Sequence, residues 1–294
     1  MNDETVELVL DAKATLGEGA IWHGATQRLY WVDIFNNALH VYDPATGRDE
    51  AINVGQAVGT VVPRRQGGLA LALHHGFATF DLKTRQLTMV VDPESHLSGN
   101  RFNDGKCDPA GRFWAGTMAY HGEPPESGSL YCLFADHTVR RMLENVSCSN
   151  GIVWSGDRRT MYYIDTPRFT VDAFDYDPAT GAIRNRRVAI TIPRPMGSPD
   201  GSTLDADDML WVAHFGGGSV SRWNPRTGKL LQTVKLPVAN VTSCAFGGPR
   251  LDDLYITTAR LGLTESALAQ QPQAGGLFRA RVGVTGVPAF EYAG

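Results

Sequence analysis

Short hydrophobic runs recur along the chain at a nearly constant interval. Their starts are separated by 40, 44, 48, 49 and 44 residues. The six runs are LYWVD (29–33), LALAL (69–73), FWAGT (113–117), MYYID (161–165), LWVAH (210–214) and LYITT (254–258). A period of ~40 to 50 residues is typical of units made of four short strands. The pattern therefore predicts six copies of one β module.

Most of these runs are followed by a second alternating strand and a polar turn. ALHVYDPATGR (38–48) and SVSRWNPRTGK (219–229) supply proline and glycine where a hairpin must reverse. The fold class we predict is all-β, a six-bladed β-propeller with four-stranded antiparallel blades around a central channel. A β-helix or two packed sandwiches would not require a ~45-residue period. VELVL (6–10) is the candidate for the strand that closes the last blade, and TESALAQQ (264–271) predicts a short surface helix.

Composition favours a globular protein with a small-molecule partner. The 294 residues are 43% hydrophobic and 20% charged, with a formal charge of −4 and no long block of one sign. This disfavours nucleic acid and anionic membranes as partners, and no obligate protein partner is evident. We expect a single propeller domain over residues 1–294. The acidic N-terminus and the lack of an apolar run of ~18 residues predict a cytoplasmic protein.

One residue in each module stands 10 or 11 positions before the recurring strand, and the six are Glu18, Gly59, Asn103, Asn150, Asp200 and Ser243. Because the innermost strand of a blade lines the channel, equivalent positions should form a ring at one mouth. Two carboxylates there would repel each other unless a cation neutralised them. Carboxylate and amide oxygens suit Ca²⁺, Mg²⁺ or Mn²⁺, whereas Zn²⁺ or Fe²⁺ is less typical without histidine; the choice among these ions stays open. Taken singly, each acid-Gly or Asn-Gly pair is better explained as a turn, whereas four polar residues in register across six modules favour a functional site.

The stretch SGNRFNDGKCDPAGRFWAGTM (98–118) concentrates polar residues before a strand. Asp108 to Gly111 is interpreted as a hairpin turn. Arg101 lies two residues before Asn103, so an extended chain would point both side chains to one side. The other polar residues of the stretch, Asn100, Asp104 and Lys106, are interpreted as loop and turn residues.

Five motifs in order along the chain resemble the regucalcin (senescence marker protein), gluconolactonase and luciferin-regenerating enzyme family. They are LGEGAIW, NRFNDGKCDPAGRFWAGTM, CSNGIVWS, PDGSTLDADDMLWVA and FGGPRLDDLYITTAR. The resemblance covers nearly the whole chain and implies a six-bladed propeller that hydrolyses sugar lactones with one divalent metal ion. It implies that Glu18, Asn150 and Asp200 are metal ligands and that Asp200 is the general base. It also implies substrate contacts at Arg101 and Asn103.

One position departs from the pattern of that family. Two glutamates follow the Gly-Thr-Met motif in regucalcin, the second of them associated with the substrate pocket, whereas this chain has Tyr120 and His121. His121 is therefore a candidate substrate contact, and an exposed loop position explains it equally well. The other histidines, such as His214, are interpreted as structural.

The sequence leaves two rival functions open. One is a regucalcin-like calcium-binding regulator without turnover, and the other is a related propeller hydrolase that acts on phosphoesters. Arg101 beside Asn103 favours the lactonase, because a purely structural calcium site needs no neighbouring cation. A serine hydrolase is disfavoured since no Gly-x-Ser-x-Gly motif is present. The cysteines Cys107, Cys132, Cys148 and Cys244 lack zinc or disulfide spacing and are interpreted mainly as core residues.

Overall fold

The structure, a computed structural model, describes residues 5–294 and contains six antiparallel sheets of four strands. Each sheet is one blade, and its innermost strand packs against the innermost strands of the blades on either side. The predicted six-bladed all-β propeller is confirmed. The described part of the chain has no helix with the length and hydropathy that crossing a bilayer requires.

Strand β1 (Val6–Leu10) precedes the first blade, and the other strands follow in order from the channel outwards. The first three blades consist of β2 (Gly17–His23), β3 (Arg28–Asp33), β4 (Ala38–Asp43) and β5 (Arg48–Asn53), then β6 (Val58–Pro63), β7 (Leu69–Leu73), β8 (Gly76–Phe80) and β9 (Leu87–Val91), then β10 (Asn100–Cys107), β11 (Phe113–Ala119), β12 (Gly128–Leu133) and β13 (Val139–Val146).

The last three blades are built in the same way, with one short helix inserted near the end. They consist of β14 (Ser149–Trp154), β15 (Thr160–Asp165), β16 (Thr170–Tyr176) and β17 (Ile183–Thr191), then β18 (Ser198–Leu204), β19 (Leu210–Phe215), β20 (Ser219–Asn224) and β21 (Lys229–Lys235), then β22 (Val241–Gly247), β23 (Asp253–Thr258) and β24 (Leu277–Ala280), with α1 (Glu265–Gln270) between the last two.

The N-terminal strand closes the ring of blades. β1 pairs antiparallel with β24 and so becomes the outermost strand of the sixth blade, as predicted for VELVL. This pairing joins the first and the last strand of the described chain in one sheet and covers an edge that would otherwise be open. The short helix α1 is also where the sequence placed it.

The recurring hydrophobic runs are the second strands of the blades, and their bulky side chains fill the space between blades. Trp114 and Trp211 are fully buried. Each indole Nε1 donates a 2.9 Å hydrogen bond to an aspartate of the preceding turn, Asp108 or Asp205. A buried indole N–H needs such a partner. The turn at Asp108 to Gly111 is therefore both the predicted hairpin and an anchor for the core.

The last residues of the chain cross the end of the channel that faces away from the ring positions. Gly286 forms a bridge with Asp205, and the Tyr292 hydroxyl donates a 2.7 Å hydrogen bond to the Phe134 carbonyl. Residues 287–290 cover a cavity of about 70 Å³ that is lined by the far ends of the inner strands. A ligand therefore approaches the ring positions from the opposite mouth.

Candidate metal centre and substrate site

The six inner strands all depart from regular pairing at the predicted ring positions. β2, β6, β10, β14, β18 and β22 each carry a β-bulge at or beside the ring residue. A bulge adds an unpaired residue and redirects the neighbouring side chains. The four ring residues that the sequence predicts to be functional are only 3 to 5% exposed, and they are Glu18, Asn103, Asn150 and Asp200. The constant sequence offset thus corresponds to one buried layer of the channel.

Glycine after a ring residue lets neighbouring inner strands approach closely. A Cβ atom on Gly151 would lie 2.8 Å from the backbone oxygen of Asp200 and 2.5 Å from Ser202 Oγ. Both separations are too short for a side chain at this position. The Asn-Gly pair of β14 is therefore required by packing against β18, and it brings Asn150 next to Asp200.

Glu18 and Asp200 form a buried pair of acids. Burial raises the pKa of Glu18 to about 8, and the charge of Asp104 adds to this effect. Burial, followed by the charge of Glu18, raises the pKa of Asp200 well above its ordinary value. Asp200 Oδ1 is buried and has no hydrogen-bond partner among the described residues. Two adjacent carboxylates with an unsatisfied oxygen are the arrangement that a hard cation stabilises.

Asn150 is the third member of the predicted ligand set. Its amide lies close enough to Asp200 to lower the pKa of that acid, and its Nδ2 donates a 2.8 Å hydrogen bond to Thr166 Oγ1. Within residues 5–294, no group of three His, Cys, Asp or Glu side chains is arranged to hold a metal ion. The donor set that fits a divalent ion is therefore two carboxylates, from Glu18 and Asp200, completed by the amide oxygen of Asn150.

The predicted substrate residues are connected to this set by hydrogen bonds. Arg101 Nη1 donates to Asn103 Oδ1 at 2.7 Å, so the two side chains do lie together as their spacing indicated. Asn103 Nδ2 donates to the Ser149 carbonyl at 2.8 Å and approaches Asn150 Oδ1 at 3.3 Å. Arg101, Asn103 and Asn150 thus form a continuous polar line that ends at Asp200.

The Arg101 guanidinium is held between two aromatic rings. Its Cζ atom lies 5.4 Å from the centre of the Phe35 ring and 5.9 Å from that of Tyr120. The side chain is 3% exposed, and burial lowers its pKa. Phe35 follows β3 and Tyr120 follows β11, both at the mouth where the inner strands begin. Sequence reasoning missed Phe35, which no motif singles out.

His121 lies on the exposed loop after β11, at the rim of this mouth. Its ring contacts Tyr120 with a centroid separation of 5.0 Å, and Tyr120 in turn contacts His74 at 4.9 Å. His121 contacts Tyr120, and Tyr120 contacts Arg101. His121 therefore lies at the site on its solvent-exposed side. Its predicted contact with substrate stays a prediction.

The interpretation of Asn100, Asp104 and Lys106 as loop and turn residues is wrong. All three belong to strand β10, in which Asn100 and Lys106 pair with β11 and Asp104 lies in the bulge with Asn103. Asp104 is 4% exposed, and burial raises its pKa while the charge of Lys106 opposes the rise. Asn100 donates to Glu94 and has a structural position. Asp104 thus adds a third acid near the ring, which only its place beside Asn103 in the sequence could have suggested.

The remaining cysteines and histidines agree mostly with a structural interpretation. All four cysteines are free thiols, and Cys107, Cys132 and Cys244 are buried. Cys148 differs, because its Sγ contacts Met118 Sδ at 3.6 Å on the edge of the site. His214 is fully buried and shares a hydrogen bond with Ser221 Oγ.

Known proteins similar to this chain share its fold along the full length. A family model described as the SMP-30/Gluconolactonase/LRE-like region matches residues 16–260. Regucalcin from Danio rerio is 44% identical over 296 residues, which covers 100% of both chains. A solved luciferin-regenerating enzyme has a TM-score of 0.92 and 36% identity over 99% of each chain.

A second solved structure is described as a calcium-binding protein, regucalcin, from Agrobacterium tumefaciens. Its TM-score is 0.94 at 29% identity, over 98% of this chain and 97% of that one. These matches confirm the resemblance that the five sequence motifs indicated. The chain belongs to the SMP-30/gluconolactonase/LRE-like family.

Proposed function

We propose that this protein hydrolyses the internal ester of sugar lactones and that its activity depends on one divalent metal ion. The observation that carries the proposal is the buried set of Glu18, Asn150 and Asp200 at one mouth of the channel, with Asp200 Oδ1 unpartnered. Membership of a family that includes gluconolactonases supports the same reaction class. The product would be the open-chain sugar acid.

The residues divide into a metal-holding set and a substrate-holding set. Glu18, Asn150 and Asp200 would hold the ion through oxygen atoms. The bound ion would supply Lewis-acid polarisation of the ester and a lowered pKa of water. The donor chemistry favours Ca²⁺, Mg²⁺ or Mn²⁺ over Zn²⁺ and Fe²⁺, and the solved Agrobacterium relative is described as calcium-binding.

The protein's own contribution to the chemical step is proton transfer and orientation. Asp200 Oδ1, which has no other partner among residues 5–294, accepts the proton from the attacking water. General-base catalysis of this kind contributes typically ~10² to 10⁴ in rate. Arg101 and Asn103 bind the sugar and hold its ester beside Asp200. Holding the reacting groups in position lowers the entropic cost of the reaction.

The decisive experiment is a pH-indicator assay over a panel of five- and six-carbon aldonolactones. Purified protein should open at least one lactone, lose the activity in EDTA and regain it with a divalent ion. If no lactone is hydrolysed above its spontaneous rate with any of the ions, the proposal is wrong. Binding of Ca²⁺ without turnover would instead support the regulator that the sequence left open, and turnover of phosphoesters alone would support the third possibility.

A further inference from the structure

We propose that the lactone taken by this site carries a carboxylate at the end remote from the ester, and that Arg101 is the group that recognises it. This inference rests on the proposed lactonase function and specifies its substrate class. It follows from the surroundings of Arg101, which differ from those expected of a cation that only orients neutral hydroxyls.

Arg101 is a buried cation that forms no salt bridge within residues 5–294, and the charges of Glu18 and Asp200 act on it only from beyond salt-bridge distance. Its only hydrogen bonds within residues 5–294 come from Nη1, to Asn103 Oδ1 at 2.7 Å and to the Phe102 carbonyl at 3.0 Å. Its Nε is fully buried and has no partner. A buried charge is costly unless it is paired, and a carboxylate offers both the opposite charge and acceptors that match the guanidinium edge.

The walls around Arg101 are aromatic and imidazole rings. Phe35 and Tyr120 flank the guanidinium, and His74 and His121 pack against Tyr120. These rings restrict the guanidinium by cation–π contact and supply no negative charge. Neither Tyr120 nor His121, the two residues that follow the Gly-Thr-Met motif, is an acid that could balance the charge of Arg101.

The acids near Arg101 have other proposed partners. Glu18 and Asp200 belong to the proposed metal set, and Asp104 lies beside Lys106, whose charge acts on it. With a divalent ion held by the ring, the three acids are balanced by that ion and by Lys106, which leaves the charge of Arg101 in excess. An anionic ligand is therefore favoured over a neutral one of the same shape.

The polar line from Arg101 to Asp200 sets the arrangement of the ligand. Arg101 lies at one end and the proposed ester-cleaving residues at the other, with the amides of Asn103 and Asn150 between them. A sugar acid lactone fits this order, because its ester and its free carboxylate stand at opposite ends of a short polyhydroxyl chain.

The test compares two lactones that differ only at the last carbon. D-Glucono-γ-lactone carries a hydroxymethyl group there and D-glucaro-γ-lactone carries a carboxylate. We expect kcat/KM to be at least about tenfold higher for the anionic lactone, because its carboxylate accepts a charge-assisted hydrogen bond from Arg101 that a hydroxymethyl group cannot match. A ratio of one or less overturns the charge proposal while leaving the lactonase intact. If neither of these two lactones is hydrolysed while another lactone of the panel is, the charge proposal fails; if no lactone is hydrolysed at all, the proposed function itself fails.

A binding measurement tests the carboxylate proposal without requiring turnover. Calorimetric titration of the Ca²⁺-loaded protein with glucarate and with gluconate should give at least about tenfold tighter binding of the dicarboxylate. Equal affinities would overturn the proposal even if both lactones were hydrolysed. Tighter glucarate binding without hydrolysis would support the carboxylate site and contradict the enzyme.

Substitutions beside Arg101 test whether that residue causes the preference for the anionic ligand. Tyr120→Glu places an acid next to the guanidinium and should lower the glucarate-to-gluconate preference about tenfold, whereas Tyr120→Phe keeps the ring and should preserve the preference. His121→Glu on the exposed loop serves as a second acidic variant if Tyr120→Glu does not fold. An unchanged preference in a folded acidic variant assigns the anion to another residue and contradicts the role of Arg101.

Discussion

Glu18 lies beside Asp200 in the buried ring, and its negative charge adds to the effect of burial in raising the pKa of Asp200. The two acids come from the first and the fifth blade, whose inner strands are about 180 residues apart in the chain. Neither acid forms a salt bridge within residues 5–294, and the charge of Arg101 lowers the pKa of Glu18 less than burial and Asp104 raise it. The pair therefore destabilises the metal-free fold when both acids are ionised, and a bound cation should remove that penalty.

The Tm of the protein should rise when a divalent metal ion binds, and it should rise more for an ion that binds more tightly. At a metal concentration 100 times the Kd, the native state gains about 2.7 kcal/mol, so the Tm should rise by several degrees above its value in EDTA. Differential scanning fluorimetry with Ca²⁺, Mg²⁺, Mn²⁺ and Zn²⁺ would rank the ions. A Tm unchanged by all four ions would contradict the metal centre.

Replacing Asp200 by Asn should abolish turnover without unfolding the protein. The substitution removes the proposed base and one ligand, so kcat/KM should fall by at least ~10² to 10⁴. In EDTA the variant should be at least as stable as the wild type, because one of the two repelling acids is gone. Glu144→Gln on the exposed outer strand β13 is the matched control and should change neither quantity. Retained activity in Asp200→Asn would show that another residue is the base.

The contribution of Glu18 to the stability of the metal-free protein should fall as the pH rises from about 4.5 to 8, and below about pH 6.5 His214 opposes it. The folded state holds the Glu18 proton up to a pKa of about 8, whereas the unfolded chain releases it near 4.5, so the unfolded state binds fewer protons across this window. Urea unfolding in EDTA at pH 5.5 and at pH 8 measures the difference. Glu18→Gln should reduce that difference, and an equal loss of stability in the variant would locate the effect elsewhere.

The opposite dependence is expected at lower pH from His214. Burial, with a contribution from Lys235, lowers the pKa of this fully buried histidine to about 4. The unfolded chain takes up the proton near pH 6.5 and the folded state does not, so stability falls as the pH drops from 6.5 to 4, by up to ~1.4 kcal/mol per pH unit. His214→Gln should flatten this part of the profile in acid unfolding. An unchanged slope would exclude His214 as the cause.

The sequence by itself determined the fold and the layer of the channel that holds the site. Recurring apolar strands and proline-glycine turns are local signals, and each blade needs only neighbouring segments to form. The constant sequence offset corresponds to equivalent positions in the structure because these inner strands bulge at the same point. The residues at those positions are Glu18, Asn103, Asn150 and Asp200. The positions of these residues in the ring were therefore predictable, while their chemical roles stay predictions.

Only the tertiary structure decided what surrounds each of these residues. The sequence placed Asp104 in a turn, but the bulge in β10 keeps it in a buried strand beside Lys106. It gave no signal that Phe35 from the first blade would meet Arg101 from the third. Contacts between blades depend on the closure of the whole ring, which no local pattern encodes. The environment of the Arg101 charge, and with it the proposed substrate class, follows from that closure.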